Sequence, residues 1–220
     1  MDKQTCVSIS ALLLVGLVAG CTQWSTPKRT PTSEPAATSP PATAPDVQPE
    51  EYDVYSAVIN TLYVGGWSMD GHSVDLIVIE DHTTSNIDVD ALKDASIPEA
   101  ERPIMEETMN DLRSRNEQSR PLVEDLFALD IDLTLISEKE RDGLFQQEGL
   151  GEAWDTFYSN YPHSQGIMTL SSVGFNSGLD KASVYVGNEA HLLAGEGSFV
   201  LLAKVNGEWS VQHTVTAWVS

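Results

Sequence analysis

Two short stretches of this chain gather side chains that can move a proton or hold a cation. His72 precedes the apolar run Leu76 to Ile79, and Glu80-Asp81-His82 closes it. Carboxylates beside imidazoles supply ligands for zinc or manganese, or a general acid–base pair in which one group releases the proton that another takes up. The second stretch is Tyr161-Pro162-His163-Ser164-Gln165-Gly166, where His163 could act as a base and Ser164 as a donor. The candidate ligand or metal residues are therefore His72, Glu80, Asp81, His82 and His163, and none is assigned a catalytic role. Both stretches also read as plain turns, since Gly71 and Thr83-Thr84 flank the first and Pro162 and Gly166 bend the second. Glu189-Ala190-His191 lies in a loop between two strand patterns and is placed to touch a ligand. His213 and the tryptophans Trp67, Trp154, Trp209 and Trp218 read as packing residues.

Several chemistries are excluded by inspection. The chain has no Gly-x-Ser-x-Gly elbow, no His-Glu-x-x-His pair and no phosphate-binding loop. Gly195-Glu196-Gly197 starts like a dinucleotide fingerprint, but Val200 stands where the third glycine belongs. Asp130-Ile131-Asp132 starts like a calcium loop, but Leu135 and Arg141 occupy the positions that need glycine and a bidentate acid. No cofactor is implied.

The elements that must position these residues are legible from periodicity. Tyr55, Val58, Ile59 and Leu62 fall on one helical face, so Glu51 to Val64 is predicted as a helix stopped by Gly65-Gly66. Leu76 to Ile79 is a buried strand. Pro103 opens a helix carrying Ile104, Met105, Thr108, Met109 and Leu112, and Leu122 to Leu129 reads as another short helix. Ser137 and Glu140 form a capping box for a helix reaching Phe145, followed by one or two helical turns bearing Trp154, Phe157 and Tyr158. From Ile167 the period falls to two: 167–175, 182–186, 197–205 and 209–219 read as strands, with Asn206-Gly207 as a hairpin turn. The predicted fold class is α+β, with N-terminal helices and one early strand packed on a C-terminal four-stranded antiparallel meander. This order of elements resembles nuclear transport factor 2-like domains, which implies a curved sheet holding helices in its concavity.

Residues 1–20 are set apart. The apolar run Val7 to Val18 is too short for a hydrocarbon core of about 30 Å and has the length of a signal-peptide core. Leu17-Val18-Ala19-Gly20-Cys21 resembles the lipobox of bacterial lipoproteins. That resemblance implies cleavage before Cys21, lipidation of its sulfur and removal of Cys6 with the leader. Residues 21–49 then form a Pro/Thr/Ser-rich tether holding seven of the eleven prolines, biased toward extended backbone of about 3.1 Å per residue. Residues 50–220 read as a single acidic globular domain. Tyr161-Pro162-x-Ser164-x-Gly166-Ile167, Leu170-Ser171-x-Val173-Gly174-Phe175-Asn176, the Trp218-Val219-Ser220 terminus and Asp53-Val54-Tyr55 resemble an uncharacterised bacterial protein family, spanning 52–220; the resemblance implies no activity.

Charge bounds the partners. The net charge is −21, and all but three of the 33 acids and three of the 12 bases lie in 50–220. Such a field repels phosphate backbones, so nucleic acid is excluded, while a basic protein or a cationic ligand is attracted. The expected function is a lipid-anchored domain on the extracytoplasmic face of the cell membrane, working as a binding or interaction module at the cell envelope. The alternative is a small envelope hydrolase or metal-dependent enzyme using Glu80-Asp81-His82 or His163. Lipid attachment has a direct check: Cys21→Ala should move the protein from the membrane to the soluble fraction and leave the N-terminal peptide without acyl mass. Unchanged fractionation would contradict the lipobox reading, since losing two or three acyl chains removes the anchor.

Overall fold

The structure is a computed structural model that describes residues 47–89, 99, 102–146 and 149–220. The expected leader, Cys21 and the expected tether up to residue 46 lie outside the described residues. Helix α1 (Pro49–Leu62) starts with proline at its first position, and Glu51 reaches back to accept the Gln48 backbone N–H at 3.2 Å. Its Tyr52, Val54, Tyr55, Val58 and Ile59 are buried. Strand β1 (Leu76–Glu80) and helix α2 (Arg102–Arg115) follow as the periodicity predicts.

The next segment departs from expectation. Leu122 to Leu129 holds only one 3-10 turn, Glu124–Leu126, in place of the predicted helix. Side chains of α1 supply the reason: the N–H of Val123 donates to the Tyr52 hydroxyl at 2.9 Å, and that of Ala128 donates to Ser56 Oγ at 2.9 Å. Backbone donors satisfied this way have no need of a helical ladder. Strand β2 (Asp132–Ile136) comes next, and it pairs in parallel with β1 from Leu76↔Asp132 to Glu80↔Ile136. Helix α3 (Glu138–Phe145) begins at Ser137, whose Oγ accepts the Glu140 N–H at 3.2 Å. Helix α4 (Leu150–Asn160) is longer than the one or two turns expected.

The predicted four-stranded meander is corrected to part of a larger mixed sheet. It holds β3 (Ile167–Leu170), β4 (Gly174–Phe175), β5 (Lys181–His191), β6 (Ala194–Val205) and β7 (Glu208–Val219) beside β1 and β2. The seven strands run β2-β1-β3-β5-β6-β7, with β4 also on β5. The run read as one strand, 167–175, breaks at Ser171 to Val173 into β3 and β4, and the other edge of β3 is taken by β1. Backbone pairing between β1 and β3 is confined to Ile79↔Met168. The Gln165 side chain extends it, accepting the Val78 N–H at 3.1 Å and donating to the Val78 carbonyl at 2.9 Å. At the predicted hairpin, Asn206 and Gly207 both take positive φ (54° and 92°), which is why this dipeptide turns β6 into β7.

Helices cover both faces of the sheet. Alternation along the strands sends Ile77, Ile79, Met168, Leu170, Val184, Val186, Val200 and Leu202 to one face, against α1. On the other face, Val78, Ile136 and Ile167 pack against Trp154 and Phe157 of α4, while Tyr185 and Phe199 pack against Met109 and Leu112 of α2. Part of the sheet between these two helical covers stays open.

A buried ion pair joins the two halves of the chain. Glu51 is fully buried and Arg120 is 4% exposed. Arg120 donates to both Glu51 oxygens at 3.1 and 2.8 Å, and the Val173 N–H donates to Glu51 Oε2 at 2.9 Å. Arg120 Nε also reaches Ser172 Oγ at 3.1 Å. Arg115 Nη1 also stands 3.5 Å from Glu51 Oε1. Removing Glu51 strands the Arg120 charge in the interior, so Glu51→Gln should cost about 3–5 kcal/mol, read from urea unfolding of the intact protein. The double change Glu51→Gln with Arg120→Met should cost less than the two single changes together. Strict additivity would show that the pair is not coupled.

Candidate functional site

The open strip of the sheet is the floor of a cleft. Thr169 of β3, Tyr185, Gly187 and Glu189 of β5, and Ala217 and Trp218 of β7 line it together with Glu80, Arg141 and Thr84 to Asp88 around a cavity of about 570 Å³. Two adjoining hollows of about 390 and 450 Å³ share Arg141 with it, one running over Asp81, His82 and Glu138, the other over Asp142, Trp154, Glu189 and His191. The floor is flat because Gly187 pairs with Gly197 at its centre. A Cβ on Gly197 would stand 2.0 Å from Trp218 Nε1 and 2.5 Å from the Tyr185 hydroxyl oxygen. Its absence lets Trp218 lie over the strand and donate its N–H to that oxygen at 2.8 Å.

Arg141 is the hub of the cleft. Its Nε lies 3.2 Å from Glu80 Oε1 and its Nη2 lies 3.4 Å from Glu189 Oε2. Six carboxylates line the three hollows, those of Glu80, Asp81, Asp88, Glu138, Asp142 and Glu189, against this one guanidinium. Burial raises the proton affinity of Glu80; Arg141 opposes this, while Glu189, Asp81 and Glu138 add to it. The Tyr158 hydroxyl donates to the Ala190 carbonyl at 2.7 Å, and burial first, then Asp70, pushes its pKa to about 12. The arrangement offers negative oxygens, one fixed cation and an aromatic wall, which together suit a ligand bearing ammonium or guanidinium groups.

The structure divides the residues singled out in the sequence. Glu80, Asp81 and His82 stay together at the cleft, where His82 Nδ1 and Asp81 Oδ1 are 2.7 Å apart. His72 lies before the other end of β1, so it does not join them. It meets His163 instead, with the rings stacked at 4.5 Å between centroids. Asp70 completes this second group, its carboxylate accepting the Ser68 hydroxyl and the His72 backbone N–H. The Ser68 hydroxyl, with the His72 amide and the two imidazoles, holds the Asp70 carboxyl below its usual range although burial opposes the shift. Ser164, read as a donor beside His163, is fully buried, and its Oγ has no hydrogen-bond partner. Glu189 and His191 reach the cleft from the end of strand β5, not from the loop expected for them, and His213 sits half-buried in β7 opposite Leu201.

Arg141, Thr169, Tyr185 and the Gly187–Gly197 pair were not legible as site residues. Each is ordinary in its own segment, and only strand register puts them side by side. Trp218, read as packing, is over a third exposed at the cleft wall. A lone arginine inside the acidic stretch Glu138 to Asp142 is the one signal that pointed this way.

No family model, curated protein or solved structure matches this chain.

The raised proton affinity of Glu80 has a measurable consequence. The native state keeps a proton that the unfolded chain has already released, so stability is lost as pH rises from the ordinary glutamate range through the raised value. Glu80→Gln cannot ionise, and its melting temperature should fall less steeply than that of the parent over that window. Equal slopes in calorimetric melts would remove Glu80 as the responsible group.

Proposed function

We propose that this chain is a lipid-anchored binding module on the extracytoplasmic face of the cell membrane, which takes a cationic ligand or a basic segment of a partner protein into the cleft of the sheet. The observation that carries the reading is the lining of the cleft, six carboxylates around one arginine with Trp218 at the wall. The net charge of −21 supports it by drawing cations toward the domain. The lipobox-like Leu17 to Cys21 and the proline-rich tether support anchoring and display. Among the described residues no helix is long and apolar enough to cross a membrane.

Arg141 gives the cleft selectivity as well as charge. It neutralises part of Glu80 and Glu189, so a ligand cation must exchange with a guanidinium already in place. Such an exchange favours ligands with two spaced positive groups over simple monovalent ions. A second reading, a hydrolase of the envelope, is favoured by Glu80 alone, because a carboxyl with raised proton affinity in a cleft can act as a general acid.

Spermidine titrated into the intact protein in detergent tests the first reading. Binding followed by calorimetry should weaken as ionic strength rises and should drop several-fold in Glu189→Gln. Salt-independent binding, or none, would overturn it. Loss of an envelope hydrolytic activity on Glu80→Gln, with spermidine binding absent, would favour the second.

A further inference from the structure

We propose that Asp70, His72 and His163 form a binding site for a first-row divalent cation, zinc first, separate from the cleft. Their ligand atoms, a carboxylate oxygen and two imidazole nitrogens, all lie within 4.8 Å of one another. Around zinc, tetrahedral ligands at 2.0–2.1 Å stand about 3.3 Å apart, so the three side chains need close by only about 1.5 Å. All three are at least partly exposed, which leaves their rotamers free to make that adjustment.

The backbone holds the three in place from two directions. Asp70 and His72 sit in a tight turn closed by Ser68, whose N–H donates to the His72 carbonyl at 2.9 Å, and the Trp67↔Ser73 bridge fastens its base. His163 comes from the loop before β3, and the Asp75 N–H donates to its carbonyl at 3.3 Å. The bridge between Leu76 and Ser164 and the clamp of Gln165 on Val78 fix that loop along β1. These contacts along β1, just ahead of β3, bring the two segments together.

The donor chemistry selects the ion. Two imidazoles and one carboxylate suit zinc and its neighbours and leave positions open for water or a ligand, whereas calcium and magnesium prefer oxygen alone. His163 Nδ1 lies 3.2 Å from Asp75 Oδ2. A proton held there by the carboxylate leaves Nε2 with its lone pair for the metal, the arrangement that orients metal-binding imidazoles elsewhere. Asp75 is in this sense a positioning residue.

Zinc chloride titrated calorimetrically into the intact protein at neutral pH decides the matter. One equivalent should bind at Asp70–His72–His163. His72→Gln and His163→Gln should each weaken it at least tenfold, Asp75→Asn should weaken it about tenfold, and His82→Gln should leave it unchanged. His72 is exposed in its turn, so the zinc-free melting temperature of His72→Gln should equal that of the parent, which separates lost binding from lost folding. No binding by the parent protein, equal binding by both imidazole variants, or loss confined to His82→Gln would each overturn the proposal. Spermidine binding in the cleft should be unaffected by His72→Gln, so the zinc result stands or falls apart from the reading of the cleft.

Discussion

The pairing of Glu51 with Arg120 is the constraint on which the arrangement depends. Two charges taken out of water cost several kcal/mol each, and only a full set of hydrogen bonds offsets that. Glu51 accepts from the guanidinium twice, from the Val173 N–H and from the Gln48 N–H, so its oxygens are saturated. Each of those donors belongs to a different part of the chain. The start of α1, the segment after α2 and the break between β3 and β4 are therefore located by one carboxylate. Apolar contacts would hold these elements against one another in many registers, but a bidentate pair admits one.

The same knot reaches the cleft. Arg120 pairs its backbone with Thr83, whose N–H donates to the Arg120 carbonyl at 2.8 Å while its Oγ1 accepts the Arg120 N–H at 3.0 Å. Thr83 and Thr84 continue from Asp81 and His82 along the rim, and Thr84 donates its N–H to Leu170 of β3 at 2.8 Å. The Tyr55 hydroxyl donates to the Ser171 carbonyl at 2.8 Å nearby, and burial holds its proton firmly, with Glu51 adding to the effect. The path from the core to the site thus runs through short hydrogen bonds between segments far apart in sequence. The cleft itself exists because α2 and the α3–α4 pair cover separate ends of one sheet face while α1 occupies the other face.

Local signals in the sequence were sufficient for the parts of the fold that local physics decides. The apolar face of α1, the Ser137 cap of α3, the apolar β1 and the Asn206-Gly207 turn each act within a few residues, and each was legible, although the proline that opens α1 read as the last of the tether. Where another segment decides, reading failed. Leu122 to Leu129 carries helix-compatible spacing, but Tyr52 and Ser56 of α1 take its backbone donors. Strand β2 is as short as β1 but breaks its apolar run with Asp132 and Thr134, and it takes its place by pairing with β1, so its own pattern did not register. The site shows the same division. His72 and His163 were both visible as metal-capable side chains, but their partnership comes from the contact between Asp75 and His163, 88 positions apart. The cleft needs the register of five strands before Arg141, Tyr185 and Trp218 acquire any meaning together.

The paired glycines at the cleft floor bear on how such a protein can diversify. Any side chain at Gly197 would displace Trp218 and Tyr185, so descendants that keep the aromatic wall must keep this position bare. Ser85, Asn86, Asp88 and the turn after His191 carry no such restriction, because their side chains are largely exposed. Drift in what the cleft accepts is then channelled to its rim, while its base is inherited intact. One lineage could thus change its ligands repeatedly without ever remaking the sheet.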